Sequence, residues 1–168
     1  MSGPMNGPMS GLAERVRVRV PDVVVARDEV TAIVARDELL GTLAWLRDEQ
    51  GFDFLVSVTA TDHPGMDPRF WAVYELRSMA SRERIRVKVG LPGDDPRVPS
   101  ATPMFPAANF HERETFDFYG IVFEGHPDLT RILLPDDWEG CPLRKDEELG
   151  GVNTQYHGAF IPPVDRRL

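Results

Sequence analysis

Three short runs of residues restrict this chain more than anything else in it: Phe52–Thr59, Phe70–Leu76 and Arg84–Val89. In the third, Arg84, Arg86 and Lys88 alternate with Ile85, Val87 and Val89. Successive side chains of a strand point to opposite faces, so this run predicts a strand with one wet and one buried face. In the first run, alternation places Phe52, Phe54, Val56 and Val58 on one face, and Asp53, Leu55, Ser57 and Thr59 on the other. The second is apolar on both faces apart from Glu75, the pattern of a central strand. The intervening DHPGMDP, Asp62–Pro68, carries the Pro and Gly of a turn or loop. A three-strand meander follows, and its apolar face demands a cover.

Helices are the natural cover. Leu39, Leu40, Leu43 and Leu46 recur at helical spacing, Asp37 is placed to cap that helix, and Gly51 to stop it after about Gln50. Further upstream, RVRVRV from Arg15 to Val20 alternates strictly and is read as a strand; Pro21 interrupts it. Val23–Ala26 and Val30–Ala35 suit strands equally well, and the register there stays open. Pro92, Pro96, Pro99, Pro103 and Pro106 forbid long regular structure between them. Pro106 suits the first residue of a helix that Gly120 ends. Beyond it, the short apolar pieces IVF and RILL are divided by Gly-His-Pro and Pro-Asp-Asp.

The expectation is a single α+β domain: a small mixed or antiparallel sheet with helices packed on it, followed by an extended C-terminal segment. Its parts are a flexible Gly/Pro/Ser-rich leader (1–14), an α+β domain (15–91), a Pro-rich connector (92–105), a helix with loops (106–149) and an extended tail (150–168). There is no internal repeat.

Composition narrows the function. Asp plus Glu outnumber Lys plus Arg by 27 to 19, a formal charge of −8, which disfavours nucleic acid as a partner even through Arg84, Arg86 and Lys88. One cysteine, Cys141, excludes an internal disulfide and a multi-cysteine cluster. No apolar run reaches the ~20 residues that span a bilayer, and the first residues lack the basic and apolar regions of a secretory signal, so a cytoplasmic protein is expected.

Acids, bases and aromatics crowd into His111–Glu148. His111, Glu112, Arg113 and Glu114 are consecutive on a predicted helix, and steps of about 100° spread them around most of its circumference. Arg113 and Asp117 suit an i,i+4 surface pair worth ~0.3 kcal/mol. Phe110, Phe116, Phe118 and Tyr119 surround the same helix, so the set reads as a helix to be buried between two bodies. Glu112 and Glu114 diverge and cannot share a proton. His111, His126 and Cys141 lack the spacing of a known metal motif, and a free-standing metal or thiol enzyme built on Cys141 with His111 or His126 is the alternative from another class. His126 reads otherwise as a turn residue and Cys141 as a small packed side chain. No dinucleotide or phosphate-loop glycine pattern occurs, and Asp62-His63 reads as loop chemistry. Arg144 and Lys145, beside Asp146, suit either a docking point for a partner carboxylate or a solvated loop.

The stretch ERETFDFYGIVFEGHPDLTRILLPDDWEGCPLRKD resembles the signature of the C-type (30 kDa-like) hydrophilic subunit of respiratory complex I, the NADH:quinone oxidoreductase. The matching positions are Glu112, Arg113, Glu114, Asp117, Gly120, Ile121, Phe123, His126, Pro127, Leu129, Arg131, Gly140, Pro142, Leu143, Arg144, Lys145 and Asp146. The resemblance implies an α+β domain without catalytic residues or cofactor of its own, and a surface, Glu112 to Asp146, that clamps the D-type (49 kDa-like) subunit. It further implies partner subunits carrying FMN and iron–sulfur clusters, membrane contact only through the complex, and a peripheral place on the cytoplasmic face of the cell membrane. The alternative that the resemblance leaves open is the equivalent subunit of a related membrane-bound hydrogenase, or of a quinone reductase fed by another donor. Cys141 stands where relatives most often have His, and Glu147-Glu148 where an aromatic-Pro pair is common.

Overall fold

The computed structural model describes the backbone of residues 8–147 and side chains from Gly11 onward. Helix α1 (Pro8–Arg17) leads into strands β1 (Val23–Ala26) and β2 (Glu29–Val34), then a 3-10 turn (Arg36–Glu38) and helix α2 (Leu39–Asp48). Strands β3 (Phe54–Asp62), β4 (Phe70–Arg77) and β5 (Arg84–Leu91) follow. Strand β6 (Arg97–Pro99), helix α3 (Ala108–Tyr119) and strand β7 (Val122–Glu124) complete the order.

The sheet is mixed, in the order β1-β2-β5-β4-β3. The expected meander is present as two antiparallel pairs, β3 with β4 and β4 with β5. A parallel pair joins β2 to β5, and β1 adds an antiparallel hairpin beyond it. Ile85, Val87, Val89 and Leu91 of β5 share one core with Leu12 and Val16 of α1, Leu39, Leu43 and Leu46 of α2, and Ala108 of α3. Helices therefore cover one sheet face, and Arg84, Arg86 and Lys88 line the other, as their alternation requires. The Pro-rich connector contributes only three strand residues, β6, paired in parallel with β7.

Two readings of the alternation are corrected. RVRVRV is no strand: its first residues finish α1, which also takes in residues 8–14 of the expected leader. Leu12, Ala13, Val16 and Val20 are buried while Val18 is 87% exposed, a helix-and-turn phase that a strand would not allow. Alternating Val and Arg satisfy both periods over so short a run, and the core selects the helical one. In β3 a bulge at Val56 shifts the register between Leu55 and Ser57. The extra residue inverts the facing, so Leu55, Val58 and Ala60 point inward while Phe54 and Val56 face solvent. Asp37 makes no capping bond, because the chain enters α2 through the 3-10 turn instead. The expected extended tail, 150–168, lies outside the described residues.

Candidate partner-binding surface

Helix α3 lies against β3, where the Thr115 hydroxyl sits 2.8 Å from the His111 carbonyl and 3.2 Å from that of Val58. Gly120 ends the helix in the left-handed region (φ 70°), and its N–H donates to the Phe116 carbonyl. Two loops are tied to this last turn, and the crowded signature residues do the tying.

Asp117 has no exposed surface. Its Oδ2 accepts the successive backbone N–H groups of Ile132, Leu133 and Leu134 at 2.9–3.1 Å, and its Oδ1 accepts from Arg131 Nη1 at 2.6 Å. Burial opposes its charge, but these donors outweigh burial and hold the carboxyl below the usual range. Arg131 also donates to the Trp138 carbonyl, and Arg113 donates to the carbonyls of Thr130 and Arg131. The expected Arg113–Asp117 pair is thus not formed: both side chains turn to the loop, where backbone groups outnumber what a surface pair offers.

Glu112 is equally buried, and its carboxylate accepts from Ser100 Oγ at 2.6 Å and from the Ala101 N–H at 2.7 Å. Among the described residues no cation bonds it, and burial pushes its carboxyl up to about 7. His126 bridges the β7 turn to α3: its Nδ1 accepts the Asp128 N–H at 3.0 Å, leaving Nε2 to donate to the Asn109 carbonyl at 3.2 Å.

The second loop, carrying Pro142 to Asp146, folds back onto the β3–β4 end of the sheet. The Leu143 N–H donates to the Phe118 carbonyl, and Arg144 Nε to the Tyr119 carbonyl at 2.7 Å. The Arg144 guanidinium lies 5.1 Å from the centre of the Phe70 ring, a cation–π contact. Asp62 anchors the rest: it accepts a bidentate pair from Arg69 at 2.8 and 2.9 Å and the Lys145 N–H at 2.8 Å. Arg69 then reaches Asp146 at 2.8 Å. Arg69, foremost, holds both Asp62 and Asp146 below the usual carboxylate range. Asp62 and Arg69, missed in the sequence as part of this site, flank the β3–β4 turn; that position was the available signal. Cys141 is half-buried near Gly120, and burial pushes its thiol up. Among the described residues, no group of three His, Cys, Asp or Glu is gathered to hold a metal, so His111, His126 and Cys141 do not meet as ligands.

The signature therefore divides. Glu112 and Asp117 are internal; Arg113, Gly120, His126, Arg131 and Arg144 brace loops; Pro142 is half-buried. Glu114, Pro127, Gly140, Leu143, Lys145 and Asp146 face outward. In the same segments Phe110 (63% exposed), Leu133 (59%) and Ile132 are exposed apolar side chains, unexpected from the charges alone.

Residues 32–153 match the family model described as the 30 Kd subunit of respiratory-chain NADH dehydrogenase. The chain is 50% identical over 151 residues to the C-type subunit of the NADH-quinone oxidoreductase of Saccharopolyspora erythraea, covering 88% of this chain and 61% of that protein. It is 45% identical over 165 residues to the protein of the same name from Nocardioides sp., covering 94% and 66%. The chain thus spans about three-fifths to two-thirds of the length of these curated relatives. Among solved structures, a trypsin-resistant fragment of Nqo5 superposes with a TM-score of 0.65 at 32% identity, covering 72% of this chain and 98% of the fragment. A chain of the membrane-bound sulfane sulfur reductase, an archaeal respiratory membrane complex, superposes with a TM-score of 0.74 at 26% identity, covering 83% and 85%.

Proposed function

The chain belongs to the family of the 30 kDa subunit of respiratory-chain NADH dehydrogenase, and from that premise we propose that it is a non-catalytic peripheral-arm subunit of a proton-pumping NADH:quinone oxidoreductase. It clamps the D-type (49 kDa-like) subunit near the iron–sulfur and quinone end, and so supports electron transfer from NADH to quinone. FMN and iron–sulfur clusters reside in the partner subunits. No described helix is long and apolar enough to cross a membrane; the chain meets the cytoplasmic face of the membrane through its partners.

The observation that carries this reading is the loop at Asp117. A fully buried carboxylate fixes three consecutive backbone N–H groups, yet the side chains on that backbone, Ile132 and Leu133, point into solvent. A rigid loop displaying apolar side chains among charges has the make-up of an interface core with a polar rim. A second reading, an equivalent subunit of a respiratory complex with another electron donor, is favoured by the likeness to the sulfane sulfur reductase chain.

Leu133→Asp combined with Leu143→Asp tests the surface. Both residues are exposed, so the stability of the isolated chain should change by less than ~0.5 kcal/mol. Association with partner subunits, read by co-purification, should weaken by ~2 kcal/mol or more. Normal assembly of the double variant would refute the surface assignment.

A further inference from the structure

Because β2 runs parallel to β5, the β1–β2 and β4–β5 turns lie at the same end of the sheet. Between them is a cleft of about 420 Å³. Its floor is Arg86, which bonds Glu75 and reaches Glu29 at 2.8 Å. Its rim carries Arg27, Arg82 and Arg84, all exposed, which make no side-chain hydrogen bond or ion pair among the described residues. Three non-glycine residues have positive φ among the described residues: Arg27 (53°), Asp28 (61°) and Arg82 (62°). All three line this cleft. Arg27 and Asp28 are the central pair of the two-residue β1–β2 hairpin, which requires positive φ at both, and Arg82 closes the β4–β5 turn; the two turns set where these arginines project.

We propose that this rim is a docking site for an acidic segment of a partner polypeptide. Three unpaired guanidiniums outnumber the one unpaired carboxylate beside them, Asp28, and leave a local excess of positive charge on a chain whose formal charge is −8. Such an excess selects an oppositely charged partner and sets its orientation. A compact anion fits less well. At the floor it would face the carboxylates of Glu29 and Glu75, which already neutralise Arg86. The free cations stand apart on two turns and in the first residue of β5, so a ligand reaching all three must be extended. The site goes beyond the α3 surface: Arg84 and Arg86 lie on the sheet face turned away from the helices. Loss of one surface therefore leaves the other intact, and the two proposals fail separately.

The test uses the full chain and a fluorescently labelled oligoglutamate peptide, followed by anisotropy. Saturable binding that weakens with added salt is expected. The triple variant Arg27→Asn, Arg82→Asn and Arg84→Gln keeps the turns foldable, because Asn tolerates positive φ. It should bind at least about tenfold more weakly. A charge-matched control, Arg17→Gln, Arg19→Gln and Arg36→Gln, should bind within about twofold of the parent. The single variant Arg84→Gln, in regular strand, should show a partial loss without any question of folding. The proposal is overturned if the parent does not bind. It also fails if the two triple variants lose binding equally. Displacement of the peptide by inorganic phosphate, well below the chloride concentration of equal ionic strength, would overturn it in favour of a compact anion site.

Discussion

Glu112 shows how far a residue's role depends on what closes over it. In the sequence it is one of four successive polar residues on a helix; folded, it has no exposed surface, and no cation among the described residues bonds it. Burial raises its carboxyl from 4.5 to about 7, against the opposing pull of Ser100 and the Ala101 N–H. The nearby Tyr74 hydroxyl is also buried and has no hydrogen-bond partner among the described residues. The folded state thus binds a proton more tightly than the unfolded one, so stability gained from this group grows as pH falls from about 7 to about 4.5. Glu112→Gln, whose amide can still meet Ser100 and the Ala101 N–H, should stabilise the chain by up to ~3 kcal/mol at pH 8. The gain should shrink towards pH 5. Urea unfolding at the two pH values checks this; destabilisation at both would mean that the ionised carboxylate is the native partner.

Among the elements, the α3 terminus depends on Gly120 for both conformation and space. A Cβ there would lie 2.9 Å from Arg144 Nη2 and 2.9 Å from Cys141 Sγ, in a backbone with φ 70°. Gly120→Ala should therefore cost ~2 kcal/mol, strain and overpacking together. Gly125, with φ 79° and nothing within 4 Å of a Cβ, supplies the comparison: Gly125→Ala should cost about 1 kcal/mol, from conformation alone. Denaturant midpoints measure both. Equal losses would show that the loop gives way around Gly120. Gly120 as a helix stop was legible in the sequence; the loops packed against it were not, because residues 141 and 144 return to it only in three dimensions. The β3 bulge is the same lesson in a strand, since one inserted residue at Val56 leaves the composition unchanged and reverses the facing.

For the molecule taken together, opposing carboxyl shifts predict a stability maximum in mildly acidic solution. Glu112 weakens the fold as pH rises through about 7. Asp62, held by Arg69, and Asp117, whose donors outweigh its burial, both titrate below the usual 3.8. Their stabilisation is full above that value and is lost as pH falls below it. Thermal melting from pH 3 to pH 8 should thus peak between about pH 4 and 4.5. Asp117→Asn should cost ~3 kcal/mol near the maximum, because it leaves Arg131 and the loop N–H groups without their carboxylate. That deficit should narrow on the acid side, where the parent also loses the charge. A constant deficit across the range would assign the role of Asp117 to shape alone.

The meander, the wet face of β5, the α2 and α3 spans and the resemblance that names the family were all legible in the sequence. The elements follow from local rules, period two against period 3.6 and the distinct backbone of Gly and Pro, while the resemblance rests on the order and spacing of the signature residues. Packing alone settled that RVRVRV finishes a helix, that β2 joins β5 in parallel, and that Glu112 and Asp117 lie inside while Ile132 and Leu133 face out. A short alternating run satisfies two periods at once, and a charged side chain carries no mark of whether backbone donors will converge on it. Both depend on which distant segment supplies the neighbouring surface, a property of the packed chain rather than of any window within it.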